Sequence, residues 1–253
     1  LKNLQTLYTK CKPGDIEPNV IFCGDPGRVK RVVARLDQSR HISTNREFVT
    51  FSGNYKGVGI TVTSTGIGGP SAAIALEEMA ACGMKVAVRI GTIMGLGDTE
   101  LGDLVIPAGC MRAENTSTTY VSSKYPAVAD PLLVQKMTAA ARDRGLSYQQ
   151  GLLCSYDGFY SEMKVGQLSK KLNLDITRKL NKLEKYDIKG IDMESGVIMT
   201  LSRLLGIKGG VVTMTTVKKN LSSSLSSEER KGVEQQLFTV VLEGLKCLAE
   251  EEL

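Results

Sequence analysis

Tryptophan is missing from this 253-residue chain, and histidine occurs once, at His41. The second scarcity excludes more than the first. A Cys/His zinc centre has too few imidazoles, and a Ser-His-Asp hydrolase would have to work through His41 alone. Its setting, QSRHISTNR, reads as a polar loop instead. Cysteine is present six times, but Cys11, Cys23, Cys82, Cys110, Cys154 and Cys247 form no CxxC pair and no tight framework. Reduced thiols in a cytosolic protein is the plain reading, so the expected location is cytoplasmic. No apolar run approaches the roughly 20 residues that span a bilayer, and nothing near Leu1 looks like a signal segment, so no membrane partner is expected. Single-sign charge blocks are also lacking. Lysine and arginine total 32 against 27 acids, and the densest cluster, SKKLNLDITRKLNKLEK (169–185), mixes both signs at helical spacing. A solvated helix face explains that cluster better than a nucleic-acid site, so no nucleic-acid partner is expected either.

What is present is glycine, 26 residues of it, with an apolar fraction of 42% that suits an ordinary globule. Strand and helix patterns alternate. VIFCG (20–24) reads as a short strand that breaks at Gly24-Asp25-Pro26-Gly27, after which RVKRVVARL (28–36) takes a helical period. FVTFSGNYKGVGITVTSTG (48–66) reads as two strands around a Gly53-Asn54 turn. A glycine-rich turn and helix over 66–84 follow, then the strands KVAVRIGT (85–92) and DLVIPAGCMR (103–112). Next come a helix over 130–145, a strand running into a loop over 152–160, and a short strand with a helix over 191–206. A strand over 209–217 and a terminal helix over 228–253 complete the pattern. The expected fold is α/β: a single-domain α/β/α sandwich over residues 1–253 with a mixed central sheet.

Arg89 is out of place in this pattern. It interrupts the apolar run Val86-Ala87-Val88-Arg89-Ile90-Gly91-Thr92, where a buried charge without a partner is costly. Ligand groups in α/β sheets gather beyond strand ends, and three glycine-bearing ends stand out: 24–26, 66–69 and 89–92. Glycines there let backbone N–H groups approach an oxyanion, and Arg28 and Arg89 add forked donors that match phosphate. The residues thus point to a phosphate pocket. The duller alternative puts Arg28 on a solvated helix face and pairs Arg89 with an acid such as Asp103. Dinucleotide binding is disfavoured, because Gly66-x-Gly68 is followed by Ser71 at the third glycine position and no acid ends the next strand.

Taken together, GDPGRV (24–29), NREF (45–48), STGIGGPSAAIALEE (64–78), VRIGT (88–92), YPAVAD (125–130), SYDGFY (155–160) and DMES (192–195) resemble the hexamer-type nucleoside phosphorylase superfamily, and most of all its uridine phosphorylase branch. The match runs almost the whole chain in the right order. The resemblance implies a pentosyltransferase of pyrimidine salvage: phosphate attacks C1′ of uridine, giving ribose 1-phosphate and uracil. It implies Gly24, Arg28, Arg89 and Thr92 around phosphate, with Arg46 lent across a dimer interface within a homodimer or hexamer. It further implies Glu194 on the ribose hydroxyls, Met193 against the sugar and Phe159 on the base, with Arg28, Arg89 and Glu194 at the catalytic centre. Neither a metal nor an organic cofactor is implied; inorganic phosphate is a co-substrate. Against these roles stand plainer ones: Glu194 as a helix N-terminal acid meeting the dipole, and Phe159 as core packing.

Several departures keep other readings open. Purine-cleaving relatives carry an aspartate on the strand after the DMES-like helix. Here GGVVTMTT offers Thr215, whose hydroxyl is no comparable acid near neutral pH. The glutamine and arginine of the uracil-cleaving branch are missing at their spacing after Phe159-Tyr160, leaving Gln167 in VGQLSKK to clamp the pyrimidine edge. Ile93-Met94 replace a small polar residue and glycine, where their bulk could fill part of the base pocket. The N-terminal histidine lent to the ribose 5′-hydroxyl has no counterpart in LQTLYTK (4–10). Two alternatives follow: a weakly active or inactive partner subunit in a hetero-oligomer with an active paralogue, or a purine or broad-specificity phosphorylase.

Overall fold

The computed structural model describes residues 5–251. The alternation read from the sequence is realised as β1 (Asn19–Cys23), α1 (Pro26–Val33), β2 (Asp37–Asn45), β3 (Phe48–Tyr55), β4 (Val58–Ser64), α2 (Gly69–Ala81), β5 (Val86–Gly95), β6 (Leu104–Arg112), β7 (Ala127–Val128), α3 (Pro131–Arg142), β8 (Tyr148–Ser155), α4 (Gln167–Lys171), α5 (Ile176–Glu184), β9 (Ile188–Asp192), α6 (Ser195–Leu204), β10 (Lys208–Lys218) and α7 (Ser227–Glu251). The strands make one mixed sheet in the order β10-β6-β8-β9-β5-β1-β4-β3-β2, and β10 also pairs with β5. Thus β5, β10, β6, β8 and β9 close a circuit, while β1, β4, β3 and β2 extend from β5 as an open wing. The mixed α/β class is as expected; the closed circuit was not visible in the periodicity.

Register explains where the ligand-facing ends fall. Parallel pairing sets Cys23 beside Ser64 of β4 and beside Ile90 of β5. The ends of β1 and β4 are therefore level with the middle of β5, and the glycine-bearing segments that follow β1 and β4 gather beside Gly91 of β5. Helices cover both faces because their apolar stripes need burial. Residues of α1, α3 and α7 close one core around Ile21, Val88 and Phe238. Those of α2 and α6 close the other around Phe22, Ala87 and Leu76. Asp25 opens α1 by accepting from Gly27 N, and Asp130 opens α3 by accepting from Leu132 N and Leu133 N, each followed by proline in the first turn. Among the described residues no helix is long and apolar enough to cross a membrane.

Four local expectations need correction. The β3–β4 hairpin turns at Lys56-Gly57, not Gly53-Asn54. Both turn residues have positive φ, 49° and 87°, as the two-residue turn matching strand twist requires. Strand β2 was read as no strand at all, because DQSRHISTN has no apolar alternation. It forms as an edge strand paired only with β3, and His41 lies on it, exposed, bonded to Thr44 Oγ1 at 2.8 Å. The charged stretch 169–185 does present its lysines and arginines to solvent as expected, but on two helices rather than one, and α5 has a second face, where Ile176, Leu180 and Leu183 are buried with Met94, Leu96 and Ile191. The suggested Arg89–Asp103 pair does not form, for Asp103 instead accepts from Ser147 Oγ at 2.5 Å and Glu100 N at 2.9 Å. The burial of α5 has a measurable consequence. Leu180→Ala should lower unfolding free energy by about 2–5 kcal/mol in urea titration, whereas a solvated face would give less than about 0.5 kcal/mol.

Candidate active site

The aligned ends of β1 and β4, with the second half of β5 beside them, open into a cavity of about 960 Å³. Its wall includes Gly24, Arg28, Arg89, Thr92, Phe159, Met193 and Glu194, seven of the nine residues singled out from the sequence. Gly91, next to Arg89, has a steric reason to be glycine. A Cβ there would fall 2.7 Å from Nη2 of Arg89 and 2.9 Å from its Cζ, so only a bare backbone lets the guanidinium lie across the strand end.

Arg89 is 4% exposed and lies between two acids. Its Nε donates to Asp192 Oδ2 at 3.1 Å and its Nη2 to Glu194 Oε2 at 2.5 Å. Burial alone would pull the guanidinium down; the charges of Glu194 and Asp192 outweigh it and hold Arg89 above the ordinary arginine value. Glu194 stands at the N-cap position of α6 but makes no cap bond. Asp192 takes that work instead, accepting from Ser195 N at 3.1 Å, from Ser195 Oγ at 2.6 Å and from Ser155 Oγ at 2.6 Å. Glu194 is thereby free to face the cavity, where Oε1 accepts from Gly68 N at 2.6 Å. Gly68 sits at φ 97°, which suits glycine and aims that N–H inward. Burial is the largest influence on Glu194, and with the nearby Asp192 charge it raises the carboxyl above its ordinary range despite Arg89.

Arg28 is no solvated helix residue. It is 4% exposed, and its Nε donates to Glu234 Oε1 of α7 at 2.7 Å. The same carboxylate receives Arg31 Nε on Oε2 at 2.6 Å. Burial pushes Glu234 up, but the hydrogen bonds and charges of Arg31 and Arg28 prevail and lower it.

The remaining two residues lie elsewhere. Gln167 is exposed at the start of α4 and does not line the cavity, because Tyr160 packs against Gly166 and the chain turns outward there. A pyrimidine clamp at Gln167 is therefore withdrawn. Arg46 sits at φ 53° in the turn between β2 and β3, exposed, with Cζ 5.9 Å from the Tyr8 ring centroid, outside its own protomer's cavity. The strand position assigned to Thr215 also shifts. A bulge in β10 between Thr215 and Val217 turns Thr216 to the cavity, while Thr215 is buried against Gly95. A hydroxyl still stands where a carboxylate would be needed. Ile93 and Met94 do line the wall, yet the cavity stays open.

A family model described as the phosphorylase superfamily matches residues 18–243. The chain belongs to that superfamily. Among its relatives is the uridine phosphorylase of Thermococcus kodakarensis, 38% identical over 248 residues, covering 96% of this chain and 86% of that protein. The guanosine phosphorylase of Halorubrum lacusprofundi is 34% identical over 82% of this chain and 80% of its own length. A crystal structure of Vibrio fischeri uridine phosphorylase superposes with a TM-score of 0.84 at 30% identity, covering 96% of both chains.

Within this superfamily member, sequence reasoning passed over Asp25, Asp192, Thr216 and Arg230, all on the cavity wall. Asp192 stood inside the quoted DMES run and could have been weighed. Arg230, from the first turns of α7, carried no sequence signal toward a site 140 residues earlier. The Arg89 cluster yields a test. Glu194's folded pKa is raised, so its contribution is fully present below the unfolded value and lost as pH rises through the folded one. Arg89→Met removes the counter-charge and pushes the same way. The variant should lose about 3–5 kcal/mol near pH 7, and the deficit should shrink as pH falls toward about 5, read by urea unfolding across pH.

Proposed function

We propose that this chain is a uridine phosphorylase, a pentosyltransferase that moves ribose reversibly between uracil and inorganic phosphate in cytoplasmic pyrimidine salvage. The whole chain would act as one catalytic domain, with no metal or organic cofactor. One observation carries the reading: buried Arg28, from the first turn of α1, and buried Arg89, from β5, line a single open cavity with the buried Glu194. Similarity to the Thermococcus and Vibrio uridine phosphorylases supports it.

In this reading phosphate is held by Arg28 and Arg89 beside Gly24 and Thr92. A phosphate oxygen bonds to C1′ as the C1′–N1 bond breaks. The bonding pair leaves with uracil, and the proton given up by phosphate ends on uracil N1. Positive charge that builds on the ribosyl ring faces Glu194. A carboxylate has about four lone-pair sites, and Gly68 N and Arg89 occupy two, which leaves capacity for ribose hydroxyls. Charges fixed by the fold supply stabilisation without reorganising at the moment of reaction. Met193 packs on the sugar and Phe159 on the base.

Charge counting supports a borrowed arginine. The cavity wall carries four acids (Asp25, Glu47, Asp192, Glu194) against three arginines (Arg28, Arg89, Arg230). A protomer alone is therefore short of positive charge for a phosphate dianion. Arg46, exposed on its hairpin, supplies it to a neighbouring subunit in a homodimer or larger ring.

A second reading, broad base selectivity, is favoured by the wall near Phe159. Ile93, Met94, Met163, Val217 and Leu221 offer no side-chain amide, Gln167 faces away, and a guanosine phosphorylase is among the relatives. Purified protein should release uracil from uridine with phosphate, and kcat/KM for uridine against guanosine and inosine separates the two readings. Phosphate binding without turnover of any nucleoside would instead assign the chain to a mixed assembly with an active paralogue.

Glu194→Gln should cost about 100- to 1,000-fold in kcat. Arg46→Ala should be comparably poor. Mixing the two inactive variants should restore roughly a quarter of parental activity, since a two-fold interface rebuilds one intact site in each mixed dimer. No recovery on mixing would remove the borrowed arginine.

A further inference from the structure

Glu234 has no part in the chemistry described so far, yet it is the most committed carboxylate near the phosphate end. Its side chain is 5% exposed, and it is bonded only to arginines among the described residues: Arg28 through Oε1, Arg31 through both oxygens. The bond to Arg28 uses Nε, the back edge of the guanidinium, at 2.7 Å. Among the described residues, neither Nη of Arg28 carries a protein hydrogen bond. A guanidinium is a rigid planar fork, so pinning its Nε edge fixes where the two Nη groups aim. Arg28 lines the cavity, so the free edge belongs to that side.

We propose that Glu234 is a positioning residue for phosphate: it holds Arg28 by its back edge so that the Nη pair is presented to the oxyanion. This rests on the phosphorylase reading and deepens it. Arg31 is the second holder. Its side chain is 43% exposed, so it is free of the core, and it keeps Glu234 from swinging by taking Oε2 at 2.6 Å. Asp25 in turn accepts from Arg31 Nη2 at 3.1 Å, tying the strand-end turn to α7. Two effects oppose each other when Glu234 loses its charge. Removing a negative group near a phosphate site favours the anion by Coulomb attraction, whereas losing the anchor frees Arg28. Oriented bidentate donation depends on geometry within fractions of an ångström, so orientation wins.

The test compares Glu234→Gln, Arg31→Gln, Arg28→Lys and the double variant Arg28→Lys/Glu234→Gln by steady-state phosphorolysis of uridine. The amide keeps the shape of the side chain but cannot satisfy Arg28 and Arg31 together. Glu234→Gln should raise KM for phosphate about tenfold while KM for uridine stays within twofold. Arg31→Gln, at a half-exposed position that leaves the core untouched, should raise it about two- to fivefold with the same selectivity; it decides the matter if Glu234→Gln does not fold. The double variant should be no worse than Arg28→Lys, because Glu234 acts through Arg28. A lower phosphate KM in Glu234→Gln, an equal rise in both KM values, or additive losses in the double variant each overturn the proposal. Should Arg28→Lys leave phosphate KM unchanged, it is the phosphate reading itself that falls.

Discussion

The constraint on which this structure depends is the burial of Arg89 between Asp192 and Glu194. A guanidinium inside an apolar strand is tolerable only with charged partners, and partners are tolerable only if their own lone pairs are filled. The fold meets these demands in sequence. Gly91 vacates the space the guanidinium crosses. Ser155 at the end of β8 and Ser195 at the start of α6 satisfy Asp192. Gly68, in a conformation suited to glycine, satisfies half of Glu194. Four segments far apart in sequence are thereby held to one point, and the order in which they arrive is the sheet topology. One arginine between two carboxylates also leaves the cluster with an excess negative charge. On the proposed reading Glu194 is the member that would turn that excess toward a substrate, because it lines the cavity while Asp192 is engaged by Ser155, Ser195 and Arg89.

A second layer of support comes from the opposite end of the chain. Arg28 and Glu234 are 206 residues apart in sequence, and their bond ties the first helix to the last. The Arg28 end of the cavity therefore rests on two unlike scaffolds: the paired strands β1, β4 and β5, which are stiff, and α7, which is docked by side chains. Phe238 and Leu237, on the turn after Glu234, sit in the core beneath α1. Arg28 is thus oriented by the same packing that closes the fold over β1.

Much of this was legible in the sequence, and the parts that were not have physical reasons. Gly24, Arg28 and Arg89 stood at breaks in periodicity, where a charge interrupts an apolar run or glycines follow a strand, and such breaks mark sites; Glu194 was singled out only by the resemblance that DMES carries. Strand β2 was illegible because it is an edge strand with polar residues on both sides, so no face alternates. The turn at Lys56-Gly57 lost to Gly53-Asn54 because composition favours Asn and Gly, while the register that decides between them is set by β4. The role of Asp192 was hidden by its neighbour: two acids two residues apart look equivalent in a string, and only the strand-to-helix geometry assigns one to the cap and the other to the cavity. Gln167 failed for the converse reason. A residue type was matched without the backbone path, and the path turns outward at Gly166.

The polar character that concealed β2 bears on its function. A strand that packs on one neighbour contributes little to the core, so its residues are free to be selected for what lies beyond the protomer. Its hairpin with β3 ends in Arg46, exposed, steadied against Tyr8, and directed to nothing in its own cavity. The adjoining Glu47, by contrast, does line that cavity. Consecutive residues of one tight turn thus face opposite ways, the acid inward and the base outward. An isolated protomer gains nothing from this arrangement, which adds negative charge to a site meant for an anion. On the proposed reading, two protomers related by a two-fold axis would gain a great deal, since each turn would line its own cavity and deliver a guanidinium to the other. On the proposed reading, assembly does more than add stability. It corrects the charge of the site, and activity becomes a property of the pair.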